Sequence, residues 1–300
     1  MERKHFLDNI RWVTVLSVLF YHVIYFYNAK GVFGGIGGFY EVQPWDAIMS
    51  LLYPWFMMLL FLVAGISARY ALTKMTGKEF IKSRTRKLLV PATIGLLVFQ
   101  WMTGYFNTHV AGADVLAEVP QPVKFFLWAF SGIGPVWFVQ DLWLFSLLMV
   151  LFKTIGKDRL YQKIGSCVEK PSMAFKLVLV VGGYLLVWAG AQCTISHPNP
   201  ESMEGLWNLY RPLTYFVLFL LGYFVFSHDT VQDEVATMRL PMLGWALVAG
   251  TAFTIVMYGK NDTDPIVLKG FLCNIFAWFA ILAILGCFKA WANKTTPFAT

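Results

Sequence analysis

Residues 9–28 read NIRWVTVLSVLFYHVIYFYN, an apolar run whose length and composition decide the class of fold. About 20 apolar residues are needed for a helix to cross the hydrocarbon core of a bilayer. Arg11 is the only formal charge in this run, and His22 follows it eleven residues later. Eleven residues make about three helical turns, so the two side chains share one helix face about 16 Å apart. The run therefore predicts a membrane-spanning helix that carries an arginine near one membrane surface and an imidazole deep in the bilayer.

The composition of the whole chain predicts a polytopic membrane protein. Apolar residues make up 58% of the chain and charged residues only 14%, whereas a soluble domain carries roughly 25% charged residues. The mean hydropathy is +0.59. The net charge of +7 is spread over particular loops and forms no basic patch with interleaved aromatic residues, so we expect no nucleic-acid partner. The lipid bilayer is the partner that this composition requires.

Apolar runs of about 17 to 25 residues predict eight spanning helices in an all-α transmembrane bundle. A shorter apolar piece before the fourth span, residues 123–132, is predicted to form a re-entrant or interfacial turn. The predicted spans are 9–28, 47–73, 88–107, 134–153, 174–195, 208–227, 240–259 and 268–292.

Basic residues alternate between the predicted loops and orient the bundle. They gather in the N-terminal segment, after the second span and after the fourth span, whereas the intervening loops contain few. Cytoplasmic loops of membrane proteins are rich in Lys and Arg, so the N-terminus is predicted to be cytoplasmic. The residues that support this orientation are Arg3, Lys4, Arg11, Lys74, Lys78, Lys82, Arg84, Arg86, Lys87, Lys153, Lys157, Arg159, Lys163 and Lys170.

His22 and Asp141 are the ionisable residues predicted to lie deep inside the membrane, where such groups are costly and usually functional. A neutral His22 imidazole is predicted to act as a general base that takes a proton from an attacking hydroxyl. The alternative is a structural hydrogen bond within the bundle. Asp141 enters the fourth span from its outer end and lies at a similar predicted depth, so it could orient His22 as a triad carboxylate does. The alternative for Asp141 is a bond to another polar group, such as Arg69.

A basic cluster that contains Arg84, Arg86 and Lys87 leads into the third span. Together with Arg11 on the same predicted side, these residues are predicted to bind the phosphates of an anionic cytoplasmic donor. The alternative is an ordinary positive-inside loop in contact with lipid headgroups. Arg69, which ends the second span on that side, either joins the donor site or extends its charge to the interface.

The remaining polar residues receive structural predictions. Asp8 or Asn9 is predicted to cap the first helix, and Asp8 lies one turn from Arg11 and could fix its guanidinium. Arg211 opens the sixth span on the outer side, where it either meets an acidic acceptor or anchors the helix among headgroups.

No two His residues have the spacing of metal ligands, and the four Cys fit no metal motif. We therefore expect no metal site and no disulfide framework.

Five segments, in this order, resemble the integral-membrane acyltransferase family 3, which includes bacterial O-acetyltransferases of surface polysaccharides and glucan succinyltransferases. The ordered set extends over most of the chain. The segments are 7–11 (LDNIR) followed by His22, 61–66 (FLVAGI), 84–91 (RTRKLLVP), 134–139 (GPVWFV) and 219–223 (FLLGY).

The resemblance implies an activity and assigns residues to it. An acyl group, with acetyl favoured, would pass from acyl-coenzyme A to a hydroxyl of a carbohydrate or glycolipid acceptor at the cell membrane. Acyl-coenzyme A would be a substrate, and no permanently bound cofactor is expected. The family's arginine and histidine correspond to Arg11 and His22. Its basic pair corresponds to Arg84 and Lys87, or to Arg84 and Arg86.

Family members usually have ten helices, two more than this sequence predicts. Residues 1–300 are therefore predicted to form one membrane-embedded acyltransferase domain that is shorter than usual or truncated at its C-terminus. A competing hypothesis is a proton-coupled transporter or exporter of a glycan or small anion, with His22 and Asp141 as a proton relay. The sequence contains no internal repeat and no matching pair of broken helices, which argues against transport.

Overall fold

The chain folds into helices that form two compact units, Met1–Tyr70 with Asp158–Thr300 and Ala71–Lys157. The computed structural model describes residues 4–25, 27, 42–110, 119–131, 134, 136–154, 158–168, 172–199 and 204–294. Every regular element of these residues is a helix. The predicted all-α fold is therefore confirmed, while the prediction of a single domain stays a prediction.

Within the described ranges, seven helices are long and apolar enough to cross a membrane. An eighth span results if Pro212–Phe226 and Asp229–Thr237, which meet at an angle of 101°, are counted together. Each predicted apolar run thus corresponds to a helix, and the sixth run is the bent one. The seven straight candidates are His5–Tyr25, Pro44–Leu72, Gly77–Phe106, Val136–Thr154, Met173–Gln192, Arg239–Met257 and Phe271–Trp291. The protein is a polytopic membrane protein.

Several spans are built from more than one helix. Short π-helical turns join some of the pieces, at Thr85–Leu89, Leu96–Gln100, Val178–Gly182 and Gly222–Phe226. In chain order the helices are α1 (His5–Tyr25), α2 (Pro44–Leu52), α3 (Phe56–Leu72), α4 (Gly77–Arg84), α5 (Val90–Gly95), α6 (Trp101–Val110), α7 (Gln121–Ser131), α8 (Val136–Thr154), α9 (Asp158–Val168), α10 (Met173–Leu177), α11 (Gly183–Gln192), α12 (Glu204–Tyr210), α13 (Pro212–Leu221), α14 (Asp229–Thr237), α15 (Arg239–Met257), α16 (Pro265–Lys269) and α17 (Phe271–Trp291).

In the first unit, α3 crosses the end of α13 and the π-helical turn that follows it with the backbones in direct contact. A Cβ atom at Gly65 would lie 2.1 Å from the carbonyl oxygen of Phe219, and one at Gly222 would lie 2.0 Å from the carbonyl oxygen of Leu62. Small residues permit such close crossings of membrane helices. The crossing explains why both segments, FLVAGI and FLLGY, contain glycine at the point of contact.

Trp278 of α17 fills the centre of the first unit. Its side chain is fully buried, and its Nε1–H donates to the carbonyl oxygen of Val180 at 2.9 Å. A buried indole N–H needs such an acceptor. Gly183 provides the space for the ring, since a Cβ atom there would lie 2.2 Å from Cζ2 of Trp278.

One end of the first unit, here called the ion-paired end, is held by three acidic residues of α14. Their partners are lysines from the segment before α1, from α10 and from the end of α17, so these segments lie at a common end. The predicted topology places the same segments on one side of the membrane, in agreement with this arrangement. Which side is cytoplasmic stays a prediction. The ion pairs are Asp229 with Lys4, Asp233 with Lys289, and Glu234 with Lys176.

The first helix begins earlier than predicted, at His5 and not at residue 9. Asp8 therefore lies in the first turn and Asn9 inside the helix, so the prediction that one of them caps the helix is wrong. The Asn9 side chain instead donates from Nδ2 to the carbonyl oxygens of Ala292 at 2.6 Å and Lys294 at 3.0 Å. It thereby links α1 to the segment that directly follows α17.

The second unit contains α4 to α8, and its first span also begins earlier than predicted. Thr76 caps α4: its hydroxyl accepts from the backbone N–H of Glu79 at 3.3 Å, and the Glu79 carboxylate accepts from the backbone N–H of Thr76 at 2.8 Å. This reciprocal pair is a capping box. The basic cluster at 82–87 is consequently helical, and the placement of these residues in a loop is wrong.

Residues 123–132 were predicted to form a turn, but most of them belong to α7. This helix packs its aromatic side chains against α6, with ring centroids 5.1 Å apart for Tyr105 and Trp128 and 6.0 Å apart for Trp101 and Phe125. The prediction of a turn is wrong because aromatic pairs of this kind stabilise a short helix that its length alone does not support.

Candidate active site

Arg11 is fixed on α1 by side chains from two helices. Its guanidinium forms an ion pair with Asp8, one turn earlier, and donates a hydrogen bond to the hydroxyl of Ser67 on α3. Ser67 in turn donates to the carbonyl oxygen of Val63 at 2.7 Å. The predicted contact between Asp8 and Arg11 is confirmed. The Arg11 side chain stays 39% exposed, so it is held in place and can still bind an anion.

His22 lies on the same continuous helix, three turns after Arg11 and half-buried. Its Nδ1 atom is 2.7 Å from the carbonyl oxygen of Val18. A carbonyl oxygen can only accept, so the neutral ring carries its proton on Nδ1 and leaves Nε2 as an acceptor. Nε2 itself has no hydrogen-bond partner in the part of the chain that the structure describes. This is the tautomer that a general base acting through Nε2 needs.

Aromatic rings surround His22 at this end of the first unit, here called the His22 end. The His22 ring centroid lies 5.4 Å from that of Tyr21 and 6.0 Å from that of Tyr25. Tyr21 is buried; it stacks on Tyr53 at 5.8 Å and contacts Phe56 at 5.2 Å. Such rings exclude water and so strengthen electrostatic interactions beside them. The imidazole therefore lies at the edge of a dry aromatic cluster.

Asp141, the predicted partner of His22, lies on α8 and belongs to the second unit, whereas His22 belongs to the first. Its Oδ2 atom is buried and has no hydrogen-bond partner among the residues described. A triad carboxylate binds Nδ1 of its histidine, but Nδ1 of His22 already donates to Val18. The Val18 carbonyl oxygen therefore orients the imidazole from within α1. The role of Asp141 stays a prediction.

Arg84, Arg86 and Lys87 lie where α4 passes into a π-helical turn. The Arg84 guanidinium packs 5.0 Å from the ring centroid of Phe80, and Arg86 and Lys87 are exposed. Turns of π-helix inside longer helices occur frequently at functional sites. The predicted action of these residues together with Arg11 stays a prediction, because they belong to the second unit and Arg11 to the first.

Arg69, whose role the sequence left open, contacts aromatic side chains of the first unit. Its guanidinium carbon is 3.6 Å from the ring centroid of Tyr161 on α9, and Nη1 donates to the hydroxyl of Tyr223 at 3.4 Å. A guanidinium stacked on a tyrosine face gains both dispersion and cation–π attraction. Arg69 therefore links α3 to α9 and to the turn after α13.

Buried charged residues lie at the His22 end, and the burial of all three was not predicted from the sequence. Asp46 and Asp262 are fully buried, and Arg211 is only 5% exposed. A headgroup anchor needs an exposed side chain, so the prediction that Arg211 anchors its helix among headgroups is wrong. Pro212 was the available signal, because the residue before a proline is disfavoured in the helical conformation. The sequence Arg-Pro thus marks a break in the helix with the arginine at the break.

The fold and these residues define a class of protein: a polytopic helical membrane protein with a fixed arginine and an oriented imidazole on one helix. The family model described as "Acyltransferase domain", of acyltransferase family 3, matches residues 4–299. The chain therefore belongs to this family and is a membrane acyltransferase. Comparisons with curated proteins and with solved structures found no match. Membership of an enzyme family favours acyl transfer over the transport hypothesis.

Proposed function

We propose that this protein transfers an acyl group, acetyl most simply, from acyl-coenzyme A to a hydroxyl of a carbohydrate or glycolipid acceptor, with His22 as the general base. The observation that carries this proposal is the hydrogen bond from Nδ1 of His22 to the carbonyl oxygen of Val18. It keeps Nε2 available to accept a proton. Family membership supports the reaction class.

The reaction then follows from the state of the imidazole. Nε2 of His22 accepts the proton of the acceptor hydroxyl while the oxygen attacks the thioester carbonyl carbon. The carbon–sulfur bond breaks, the new ester forms, and coenzyme A leaves as a thiolate. The imidazolium returns its proton to the sulfur, which restores the starting tautomer. Asp141 is assigned the smaller role of stabilising the imidazolium, because Val18 already orients the ring.

The donor's phosphates are assigned to Arg11, Arg84, Arg86 and Lys87. Arginine and lysine bind phosphate oxygens through short, charge-assisted hydrogen bonds. Along α1, the rise of about 16 Å between Arg11 and His22 leaves room for the thin arm that joins the phosphates to the thioester. In this proposal the N-terminus is cytoplasmic, and the protein lies in the cell membrane with its donor site at the cytoplasmic surface.

The test of the base compares purified wild-type protein with His22→Gln and with His197→Gln, which changes an exposed histidine in the loop after α11. Binding and turnover of radiolabelled acetyl- and succinyl-coenzyme A are measured for each. All three proteins should bind the donor. Turnover should fall roughly 10²–10⁴-fold in His22→Gln and stay unchanged in His197→Gln.

Two results would contradict the proposal. Full turnover by a well-folded His22→Gln protein would show that His22 is not the base. A wild-type chain that binds neither donor would show that acyl-coenzyme A is not the donor.

The phosphate site is tested separately with Lys87→Gln against Lys82→Gln, an exposed lysine one turn earlier in the same span. Loss of a ground-state phosphate contact should raise KM for the donor without changing kcat, and only in Lys87→Gln.

A further inference from the structure

An apolar groove lies on the surface of the first unit, between α9 and the span that contains α10 and α11. Its volume is about 590 Å³, which is within the range of sites that bind small molecules. Lys163 is the one charged residue among the described residues that line it. Its floor consists of buried apolar side chains, namely Val168, Leu179 and Phe226.

The groove has the depth of one leaflet of a bilayer. Along the span its lining runs from Phe175 to Leu186, which are eleven residues or about 16 Å apart on a helix. The hydrocarbon core of a bilayer is about 30 Å thick, so one leaflet contributes about 15 Å. Val178, Leu185 and Leu186 are at least half exposed, and exposed apolar patches of this kind mark contacts with a membrane or a partner. Because these residues belong to a membrane span, the groove is open to the lipid.

The helix α9 forms the rim of the groove at the ion-paired end. Tyr161 of α9 stacks on His228, with ring centroids 4.1 Å apart, and His228 directly precedes α14, which carries the acidic residues of the ion pairs. The sequence of α9, DRLYQKIGSCV, has a polar face and an apolar face, as do helices that lie in the plane of the membrane interface. The rim therefore lies at the level of the lipid headgroups.

Two basic residues of α9 have no anionic partner in the described part of the chain. Lys163 lines the groove, and Arg159 lies one turn earlier on the same face of the helix. Both side chains are exposed and neither forms an ion pair among the described residues, whereas Lys176 on the neighbouring α10 is paired with Glu234. Basic residues at this level attract the headgroups of anionic lipids. The charged end of the groove is therefore complementary to a phosphate.

We propose that the groove binds one anionic phospholipid of the bilayer, with an acyl chain along the span and the phosphate beside Lys163 and Arg159. A phospholipid matches both features of the site, because it joins an apolar chain of one-leaflet length to a negative charge at the interface. The bound chain fills the space between α9 and the span, and so completes the packing of α9 on the first unit. The proposal does not depend on the proposed acyl transfer.

The experiment measures lipid binding by native mass spectrometry of the delipidated full chain in detergent. Phosphatidylglycerol, which is anionic, is compared with phosphatidylcholine, which is zwitterionic and has the same palmitoyl and oleoyl chains. Glycerol 3-phosphate supplies the charge without the chains. The masses also report whether the chain is a monomer or a dimer.

Two variants test the two features of the site. Lys163→Gln removes the charge, and Gly182→Phe fills the groove. A Cβ atom at Gly182 would meet only Cγ1 of Val178 within 4 Å, at 3.7 Å, so the added ring enters open space. The matched controls are Lys260→Gln, at an exposed lysine after α15, and Gly244→Phe on α15, where a Cβ atom meets nothing within 4 Å.

Wild-type protein should bind one phosphatidylglycerol roughly fivefold more tightly than phosphatidylcholine, and it should not retain glycerol 3-phosphate. Lys163→Gln should lose most of this preference, Gly182→Phe should retain neither lipid, and both controls should match wild type. In wild-type protein, phosphatidylglycerol should also slow the maleimide labelling of Cys167, which lines the groove, and leave the exposed Cys193 after α11 unaffected.

Several results would overturn the proposal. Equal affinity of wild-type protein for the two phospholipids would remove the anionic site, and an unchanged preference in Lys163→Gln would remove Lys163 from it. Lipid retention by Gly182→Phe at the wild-type level would remove the groove. A dimer that Gly182→Phe converts to a monomer would mean that a second copy of the chain covers the groove. The labelling of Cys167 needs no variant and decides the question if Gly182→Phe does not fold.

Discussion

The two ends of the first unit treat their charges in opposite ways. At the ion-paired end, each acidic residue of α14 has a lysine partner, and the Asp229 and Asp233 side chains are 68% exposed. At the His22 end, Asp46 and Arg211 are almost fully buried, and Oδ1 of Asp46 and Nε of Arg211 have no hydrogen-bond partner in the described ranges. The carboxylates of the ion-paired end are therefore paired with lysines, whereas Asp46 and Asp262 at the His22 end are fully buried. Buried atoms without a partner occur at both ends, since Nε of Arg239 at the ion-paired end also lacks one in the described ranges.

Charges at the two ends differ in their energetic cost to the folded protein. Paired charges at a surface contribute little to stability but cost little, because water still solvates them. Buried polar atoms without partners are rare in native proteins, and each needs an explanation. Proteins tolerate such destabilising groups where activity requires them. The feature that distinguishes the His22 end, where the proposed base lies, is therefore the full burial of the carboxylates Asp46 and Asp262.

The largest effect is expected where the helices that connect the two ends cross. Gly222→Leu should destabilise the protein by more than about 4 kcal/mol and abolish both donor turnover and folding, because a Cβ atom at Gly222 would overlap the Leu62 carbonyl oxygen. Gly244→Leu is the matched control, since a Cβ atom at Gly244 on α15 meets nothing within 4 Å. Thermal unfolding of detergent-purified protein measures both. A Gly222→Leu protein as stable as Gly244→Leu would disprove the close crossing.

The lengths of the apolar runs predicted the membrane-spanning helices. Every predicted span corresponds to a helix, and the separation of Arg11 and His22 follows from counting residues along one helix. These features are local or are imposed by the membrane itself. The start of the third span was missed for a local reason, because the capping pair Thr76 and Glu79 was not recognised.

The burial of Arg211 could not be predicted, because it depends on neighbours that are distant in sequence. Tyr53 and Cys273 come from α2–α3 and α17, and only the folded chain brings them to the break before α13. The same holds for Ser67, the partner of Arg11 on another helix. The predicted pairing of Asp141 with His22 rested on their similar depth in the membrane. Equal depth in two helices does not establish contact between two side chains.

A second prediction compares the free energy of unfolding after removal of one charge at each end of the first unit. Arg211→Leu should raise the free energy of unfolding by about 1–3 kcal/mol, because it removes a buried guanidinium whose Nε has no hydrogen-bond partner among the described residues. Glu234→Gln, which removes a pair at the ion-paired end, should lower it. Thermal unfolding at neutral pH measures both changes. If Arg211→Leu unfolds at a lower temperature than wild type, the guanidinium has a stabilising partner and the contrast fails.

A smaller effect isolates the backbone at the same position. Arg211→Gly should be more stable than Arg211→Ala by about 0.5–1 kcal/mol, because glycine adopts a φ of 39° without the penalty that a Cβ atom imposes. Both variants lack the charge, so their difference reports the backbone alone. The matched control is residue 244 in the interior of α15, where a Cβ atom meets nothing within 4 Å. There the Ala variant should be more stable than the native glycine, which is the reverse order. Equal stability of the two Arg211 variants would mean that the break relaxes once the arginine is removed.

The smallest effect concerns a single pair at the ion-paired end. Burial lowers the pKa of Lys4, but the hydrogen bond and charge of Asp229, together with Tyr70, outweigh it and raise the pKa above the ordinary 10.5. A lysine with a raised pKa stabilises the fold while it is protonated. Its contribution is therefore complete below about pH 10.5 and is lost as the pH rises through the pKa of the folded state.

Lys4→Met should consequently be less stable than wild type by about 0.2–0.5 kcal/mol at neutral pH, since Asp229 is largely exposed and the pair is screened by water. The difference should shrink towards zero as the pH rises above the pKa of Lys4 in the folded state. Melting temperatures of the two proteins across this range provide the measurement, with Lys260→Met, an exposed lysine after α15, as a control that should show no such trend. A difference that grows with pH would mean that Lys4 is neutral in the folded protein, and the ion-paired end would then lose one of the pairs that define it.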